Sequence, residues 1–406
     1  MQEKNGNVIN TTVKKEEIIT YDYKDIESCK NMKWEDMNIP QWLCRNLRNN
    51  NFIFPTPVQA KTIPYTLNRR NLMVRAKNGT GKTASFMIPI LSKIDPLQNK
   101  LQAIVLVPIR ELALQISKNF RLIASKEIKS MPLIGGTNLT DDILRFNNGV
   151  HILIGTPGRI VNILKRNDAD VSTNPIIIFD EADKLLDSIF YESINTFLKI
   201  IPQKRQICLY SATFPKSIEG FVDRFMGDPV KISVSRGQDL PNIDQYFVKV
   251  NSETKIPCLK SLLESLVVDQ CIIYCNSIQK VKLLAEDISK LGFPTYFIHS
   301  QMSQEERNHV YHNFSKCRCK ILVSTDITTR GIDVPTVNVV INFDLPFSSE
   351  SYLHRVGRCG RFGKKGCAVN MTKNSELSTL KAYCSNLRMR LLSIADKSFS
   401  MYCKRQ

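Results

Sequence analysis

Twice along this chain, short apolar runs rich in β-branched residues alternate with longer stretches of helical period. The first series is Leu72–Arg75, Ala103–Val107, His151–Ile154, Ile176–Phe179 and Ile207–Tyr210. The second is Cys271–Tyr274, Thr295–Ile298, Ile321–Ser324, Val337–Asn342 and Ala368–Met371. A run with no polar alternation suits a strand covered on both faces, and strands separated by helices pair in parallel through crossovers. The expected fold class is therefore α/β, with two parallel β-sheets in tandem, each flanked by helices. A length of 406 residues fits two such domains. Between the series, Ser235-Arg-Gly-Gln-Asp-Leu-Pro-Asn242 is polar and aperiodic, which suits a linker. The expected division is a mobile tail over 1–33, a first domain over 34–235, a linker over 236–243 and a second domain over 244–406.

Charge narrows the partners. Lys and Arg number 56 against 38 Asp and Glu, giving a net charge of +18 that favours polyanions, nucleic acid foremost. No apolar run is long enough to span a bilayer, and the polar start is unlike a signal peptide, so a non-membrane, intracellular protein is expected. The 12 cysteines follow no disulfide-framework spacing and are read as reduced thiols. His309, His312, Cys317 and Cys319 fit no familiar zinc spacing and are not expected to hold a metal.

Immediately after the first of these strands comes Ala76-Lys77-Asn78-Gly79-Thr80-Gly81-Lys82-Thr83, followed by a helical stretch. This is a Walker A loop in its strand-to-helix context, although it opens with Ala76 where the general pattern has Gly. Gly79 and Gly81 let backbone amides curl around phosphate oxygens, Lys82 reaches the outer phosphates, and the Thr83 hydroxyl is a magnesium ligand. The apolar strand Ile176–Phe179 delivers Asp180-Glu-Ala-Asp183 at its carboxyl end, where ligands bind in open parallel sheets. Asp180 is expected in the magnesium shell and Glu181 beside the attacking water, the needs of phosphoryl transfer.

Asp-Glu-Ala-Asp at 180–183 is the motif that names the DEAD-box RNA helicases, and the chain resembles that family from about Trp34 to Met371. The resemblance implies tandem RecA-like domains. Phe52-Ile-Phe-Pro-Thr-Pro-Val-Gln59 is similar to the family's adenine-reading motif, in which Gln59 bonds the adenine edge and Phe52 stacks on it, implying ATP with Mg2+. Trp34 stands where the family usually has Phe, and Asn51 where it usually has Gly. Pro108-Ile-Arg110-Glu-Leu-Ala113, Gly135-Gly136 and Thr156-Pro-Gly158-Arg159 resemble the family's RNA-backbone motifs, with Ile109 in place of the usual Thr. Ser211-Ala-Thr213 resembles the motif that couples nucleotide state to RNA.

The second half carries Cys271–Ser277, Gln304-Glu-Glu-Arg307, Ser324–Asp333 and His354-Arg-Val-Gly-Arg358-Cys-Gly-Arg361, which are similar to the family's later motifs in their order. By resemblance, Thr325 contacts RNA, Asp333 meets the ribose, His354 belongs to the coupling set, and Arg358 and Arg361 are arginine fingers. Hydrolysis then requires both domains to close on ATP and single-stranded RNA together. Gly135–Asp142, Asp183–Leu186 and Val337–Asp344 are similar to the subfamily of translational repressors and mRNA decapping activators. That likeness implies a monomer acting on mRNA in the cytoplasm, in messenger-ribonucleoprotein granules. It also implies decapping activators and a deadenylase scaffold docking on the second domain. Two other readings stay open: the helicase subunit of the cap-binding translation machinery, and a slow-turnover RNA clamp that uses ATP as a latch.

Overall fold

The computed structural model describes residues 18–21, 32–76, 79–166, 170–215, 218–234, 242–329, 334–360, 364–387 and 389–404. The first sheet is built from β1 (Ile18–Tyr21), β2 (Leu72–Ala76), β3 (Leu101–Leu106), β4 (Ser130–Leu133), β5 (Ile152–Gly155), β6 (Val171–Asp180), β7 (Gln206–Ser211) and β8 (Val230–Val234). The second contains β9 (Ile243–Lys249), β10 (Gln270–Tyr274), β11 (Thr295–Ile298), β12 (Ile321–Ser324), β13 (Val337–Asn342), β14 (Gly366–Thr372) and β15 (Leu391–Ser393). The strand orders are β1-β8-β2-β7-β6-β3-β5-β4 and β11-β12-β10-β13-β14-β9-β15. Every strand pairing among the described residues is parallel. This is the tandem arrangement that the two series of apolar runs imply.

All ten apolar runs fall on strands, with only Val107 and His151 standing one residue outside β3 and β5. β5, β7, β10 and β12 are buried at every position because helices cover both faces of each sheet. Each sheet accordingly carries two cores, one per face. In the first domain Val74, Phe86, Val105 and Ile154 lie in one core, and Ile104, Phe179, Phe197 and Leu209 in the other. In the second, Ile273, Val323 and Ile341 lie opposite Ile272, Leu322 and Val340. Among the described residues no helix is long and apolar enough to cross a membrane.

Residues 18–21 fall within the stretch expected to be a tail, yet they extend the first sheet by pairing with β8 from Ile18↔Lys231 to Tyr21↔Val234. The short run Ile-Ile-Thr-Tyr has the β-branched and aromatic composition of an edge strand. The eleven cysteines of the described residues are all free thiols. Seven of them, including Cys44 and Cys208 in the first domain and Cys271, Cys275 and Cys367 in the second, contribute to the hydrophobic cores. Burial raises the Cys208 and Cys275 thiols to about 12.

Candidate active site and RNA face

Strand order decides which loops meet. β2, β7 and β6 are neighbours, in the registers Arg75↔Ser211 and Asp180↔Tyr210, so their carboxyl ends lie side by side. The loop after β2, the Asp180–Asp183 turn and Ser211–Thr213 therefore form one corner of the sheet edge. β3, β5 and β4 continue along the same edge, where Pro108–Arg110, Thr156–Arg159 and Gly135–Gly136 follow their ends. One edge thus carries both the motifs expected to hold nucleotide, the nucleotide half, and those expected to hold RNA, the RNA half.

In the nucleotide corner Gly79 and Gly81 have φ of 79° and 96°, a backbone region open to glycine. A Cβ at Gly81 would come within 2.5 Å of Gln59 Nε2. Lys82 starts the helix Lys82–Lys93, is 7% exposed, and donates through Nζ to Ala76 O at 2.8 Å. Thr83 follows it on the helix, half-buried, and Thr80 lies in the loop before it. Lys77, Asn78, Asp333 and Arg361 lie outside the described residues.

Asp180 and Glu181 are 4% and 6% exposed. Glu181 sits in the left-handed region at φ 54°, ψ 50°, and its amide donates to Asp180 Oδ1 at 3.0 Å. A glutamate held there is strained by about 1–3 kcal/mol, and the strain aims the carboxylate from a tight turn. Burial first, and the adjacent Glu181 next, push Asp180 up to about 7. Burial lowers the Lys82 ammonium, while Glu181, Asp180 and Asp183 act to hold it charged. The Arg358 charge opposes that hold and is the smallest of the influences on Lys82. Two hard oxygen donors, the Thr83 hydroxyl and the Asp180 carboxylate, sit beside a glycine cradle and a buried lysine, a donor set that fits Mg2+ with a nucleotide triphosphate.

Asp183 joins three chain segments. Its Oδ2 accepts from Thr213 Oγ1 at 2.9 Å and lies 3.5 Å from His354 Nε2, while the Thr213 amide donates to Ser211 Oγ at 3.3 Å. The predicted coupling residues Ser211, Thr213 and His354 thus come together, and the carboxylate that gathers them is the one to which the sequence reading gave no separate role. Arg358 is 4% exposed and donates through Nε to His354 O.

At the nucleobase end, Gln59 is 2% exposed in the first turn of the helix Pro57–Leu67. Its Oε1 accepts from the Thr56 amide at 2.8 Å and its Nε2 donates to Gly81 O at 3.2 Å. An amide has two donor hydrogens and two acceptor lone pairs, so one of each remains for a base edge. Phe52 is held on both sides of its backbone. Its N–H donates to Leu47 O at 2.9 Å, and its carbonyl accepts from Trp34 Nε1 at 2.7 Å. Asn51, at φ 63°, makes the left-handed turn for which the family usually uses Gly.

On the RNA half, Gly136 has φ 87°, Gly158 is exposed, and Pro108 and Thr156 are half-buried. The Arg110 guanidinium lies over Gly135 and Gly136 and donates to Gln304 Oε1 of the second domain at 3.2 Å. Arg159 donates to Asp142 and Thr137 within its own domain. Next to Arg110, buried Glu111 pairs with Arg307 at 3.0 Å across the domains. In the second domain Thr325 is half-buried beyond β12, and the fully buried Arg355 bonds Asp326 at 2.5 Å and both Asp344 O and Asn276 Oδ1 at 2.7 Å.

Residues 56–221 match the family model described as DEAD/DEAH box helicase, and residues 254–363 match that of the helicase conserved C-terminal domain. The chain is 46% identical over 378 residues to the ATP-dependent RNA helicase DHH1 of Encephalitozoon cuniculi, covering 93% of this chain and 78% of that one. This chain belongs to the DEAD-box ATP-dependent RNA helicases. It is likewise 44% identical over 352 residues to the Arabidopsis thaliana DEAD-box ATP-dependent RNA helicase 6, covering 86% of this chain and 71% of the plant protein. Its structure is similar to that of S. cerevisiae Dbp5 bound to RNA and ADP BeF3, with a TM-score of 0.81 and 25% identity over 90% of this chain and 97% of that one. As a DEAD-box helicase it is an RNA-binding enzyme that hydrolyses ATP.

Several residues of this helicase escaped the sequence reading of its site. Glu111, Gln304 and Arg307 lay inside quoted motifs, yet nothing local signals that they face one another across two domains. Asp142 and Arg355 also lay inside quoted stretches, Gly135–Asp142 and His354–Arg361, and were given no role of their own. A charge that interrupts a buried helix face is the signal that could have found them.

Proposed function

We propose that ATP binds between the two domains at the corner formed by Lys82, Asp180 and Glu181, and that Arg358 completes the site from the second domain. The observation that carries this reading is the Asp183–His354 contact across the domains at 3.5 Å, with Arg358 held one turn along the same segment by its hydrogen bond to His354 O at 3.2 Å. Gly79, Thr80, Gly81 and the Lys82 helix start receive the phosphates, joined by Lys77 and Asn78 of the same loop. Thr83 and Asp180 would hold Mg2+, partly through water, and Mg2+ supplies charge neutralisation on the phosphate oxygens. Glu181 orients and deprotonates the attacking water, and Arg358 with Arg361 stabilises charge spreading over the γ-phosphate oxygens. Gln59 reads the adenine edge with its remaining donor and acceptor, Phe52 supplies the stacking face, and Asp333 meets the ribose.

Single-stranded RNA lies along the neighbouring loops, held by Pro108, Arg110, Gly136, Thr156, Gly158 and Arg159 of the first domain and Thr325 of the second. Because both ligands favour the closed pair of domains, each strengthens the other's binding, and Ser211, Thr213 and His354 transmit the nucleotide state. A strand bent into the closed cleft separates from its complement, and hydrolysis releases the clamp. The domains of this reading are 34–235 and 244–406, joined by 236–243.

ATP turnover measured with and without single-stranded RNA tests the assignment. Glu181→Gln is expected to lose turnover while retaining ATP-dependent RNA binding, and equal turnover in variant and wild type overturns it. Arg358→Ala is expected to lose hydrolysis and keep nucleotide binding.

The likeness of Gly135–Asp142, Asp183–Leu186 and Val337–Asp344 to the repressor and decapping-activator subfamily supports a cellular role in mRNA repression and decapping. In this reading the protein acts as a monomer in cytoplasmic messenger-ribonucleoprotein granules, with decapping activators and a deadenylase scaffold docking on the second domain. Affinity purification with an RNase control tests this role. Recovery of decapping factors supports it, and recovery of the cap-binding scaffold instead overturns it.

A further inference from the structure

Besides Glu111, which pairs across the domains, the first domain's RNA half contains a second buried carboxylate that no nucleotide or RNA step requires. Asp142 lies in the first turn of the helix Leu139–Asn147 and is 2% exposed. Its Oδ2 accepts from Arg159 Nη2 at 2.8 Å, Arg159 Nε at 3.0 Å and Thr137 Oγ1 at 2.9 Å. Arg159 Nη2 also donates to Thr137 O at 2.7 Å and Thr137 Oγ1 at 2.9 Å. The exposed Arg145 stands 3.6 Å from Asp142 Oδ1. Three pieces of chain meet here: the loop that follows Gly135 and Gly136, the helix that carries Asp142, and the helix start that carries Thr156, Gly158 and Arg159.

We infer that Asp142 is a positioning residue for RNA binding, fixing the Gly136 loop relative to the Thr156–Arg159 turn, with Arg159 as the strut between them. The Arg159 side chain is 9% exposed, and its Nε and one Nη already serve protein acceptors. Such a guanidinium holds shape more than it neutralises phosphate. The backbone of Gly136, the exposed Gly158 and the Thr156 hydroxyl are then the groups that Asp142 brings to the correct spacing. This inference rests on the proposed RNA face and revises the part of Arg159 within it.

Electrostatics and positioning predict opposite signs, which makes the inference testable. Removing a negative charge beside a cationic RNA face strengthens binding if charge alone matters. Losing the hub weakens it if geometry matters, because Arg159 and Thr137 are left with a mismatched partner. RNA affinity is measured with labelled oligouridine and a non-hydrolysable ATP analogue over a range of salt, using the full chain. Asp142→Asn is expected to weaken RNA binding by about tenfold, the loss of roughly one buried charge-assisted contact. Its salt slope should stay unchanged, because no phosphate contact is removed.

Thr137→Val deletes one hydroxyl from the same hub and serves if Asp142→Asn fails to fold. A several-fold loss at constant salt slope is expected, and Arg145→Ala, which removes only the exposed partner, should bind like wild type. Tighter or unchanged RNA binding by Asp142→Asn or Thr137→Val overturns the inference. So does a fall in the slope by about 0.7 in Arg159→Ala, the signature of one lost phosphate contact to a single strand. If wild type itself binds no oligouridine, the RNA face fails, a result distinct from failure of the hub.

Discussion

Two seams join the domains of this protein, and they are built differently. On the RNA side Glu111 and Arg307 pair at 3.0 Å with side chains only 4% and 8% exposed, and Arg110 and Gln304 add a neutral-to-cation hydrogen bond. On the nucleotide side His354 approaches Asp183 at 3.5 Å, and buried Arg358 donates to the His354 carbonyl behind that contact. The first seam matches Glu111 with Arg307 from protein alone and rests Arg110 on a neutral amide. The second holds Asp180 raised to about 7 and Lys82 lowered, the marks of charges that burial alone disfavours. A polyanion with its cation suits such a corner, so the nucleotide side is the seam that a ligand can tune, while the RNA side is a fixed clasp.

The comparison can be broken most forcefully at the fixed clasp. Removing one partner of a buried ion pair costs about 3–5 kcal/mol, so Glu111→Arg should reduce RNA-stimulated ATP turnover by more than about a hundredfold. Adding Arg307→Glu should recover much of that loss in a double-mutant cycle, and the absence of recovery would argue against direct pairing in the working state. Next in size is His354→Ala. It removes a contact of about 1–2 kcal/mol and should slow RNA-stimulated turnover by roughly tenfold, with the affinity for ADP little changed. Equal losses from this change and from Glu111→Arg would erase the distinction between the seams.

Gln304→Ala removes an amide that accepts from Arg110 at 3.2 Å and Arg307 at 2.6 Å and donates to Glu111 at 3.4 Å, partly buried hydrogen bonds of about 1 kcal/mol each. A few-fold weaker coupling between ATP analogue and RNA is expected by fluorescence anisotropy. The smallest effect tests the frame from outside both seams. Cys317 adopts φ 55°, and glycine relieves that left-handed strain, so Cys317→Gly should raise stability by about 0.5 kcal/mol in urea unfolding. It should leave ATP and RNA coupling alone.

Strands covered on both faces were legible because burial leaves an uninterrupted apolar run, as in Ile176–Phe179. β9 was not: Ile-Asp-Gln-Tyr-Phe-Val-Lys mixes polar and apolar residues, since this strand borders the sheet's short last strand. β4 was hidden by Pro132, which an edge strand accepts because one side of its backbone has no ladder partner. The corner proposed for nucleotide was legible as motifs, Ala76 apart, because Gly, Lys and carboxylates stand at set spacing beside strand ends. The RNA-side seam was not, because pairing between Glu111 and Arg307 depends on how two separate sheets meet. Asp142 escaped for a similar reason: its partners come from the loop before its helix and from the helix after the next strand.

The burial of the thiols gives the molecule a chemical clock. With Cys208 and Cys275 at about 12, the reactive thiolate is scarce while the fold is closed, and an alkylating reagent meets these sulfurs only when their core opens. Cys44 and Cys208 report the first domain, whereas Cys271, Cys275 and Cys367 report the second. Exposed Cys317 marks zero time. Peptide-resolved labelling rates therefore separate the opening of one domain from that of the other, and a ligand that clamps both should slow the two sets together.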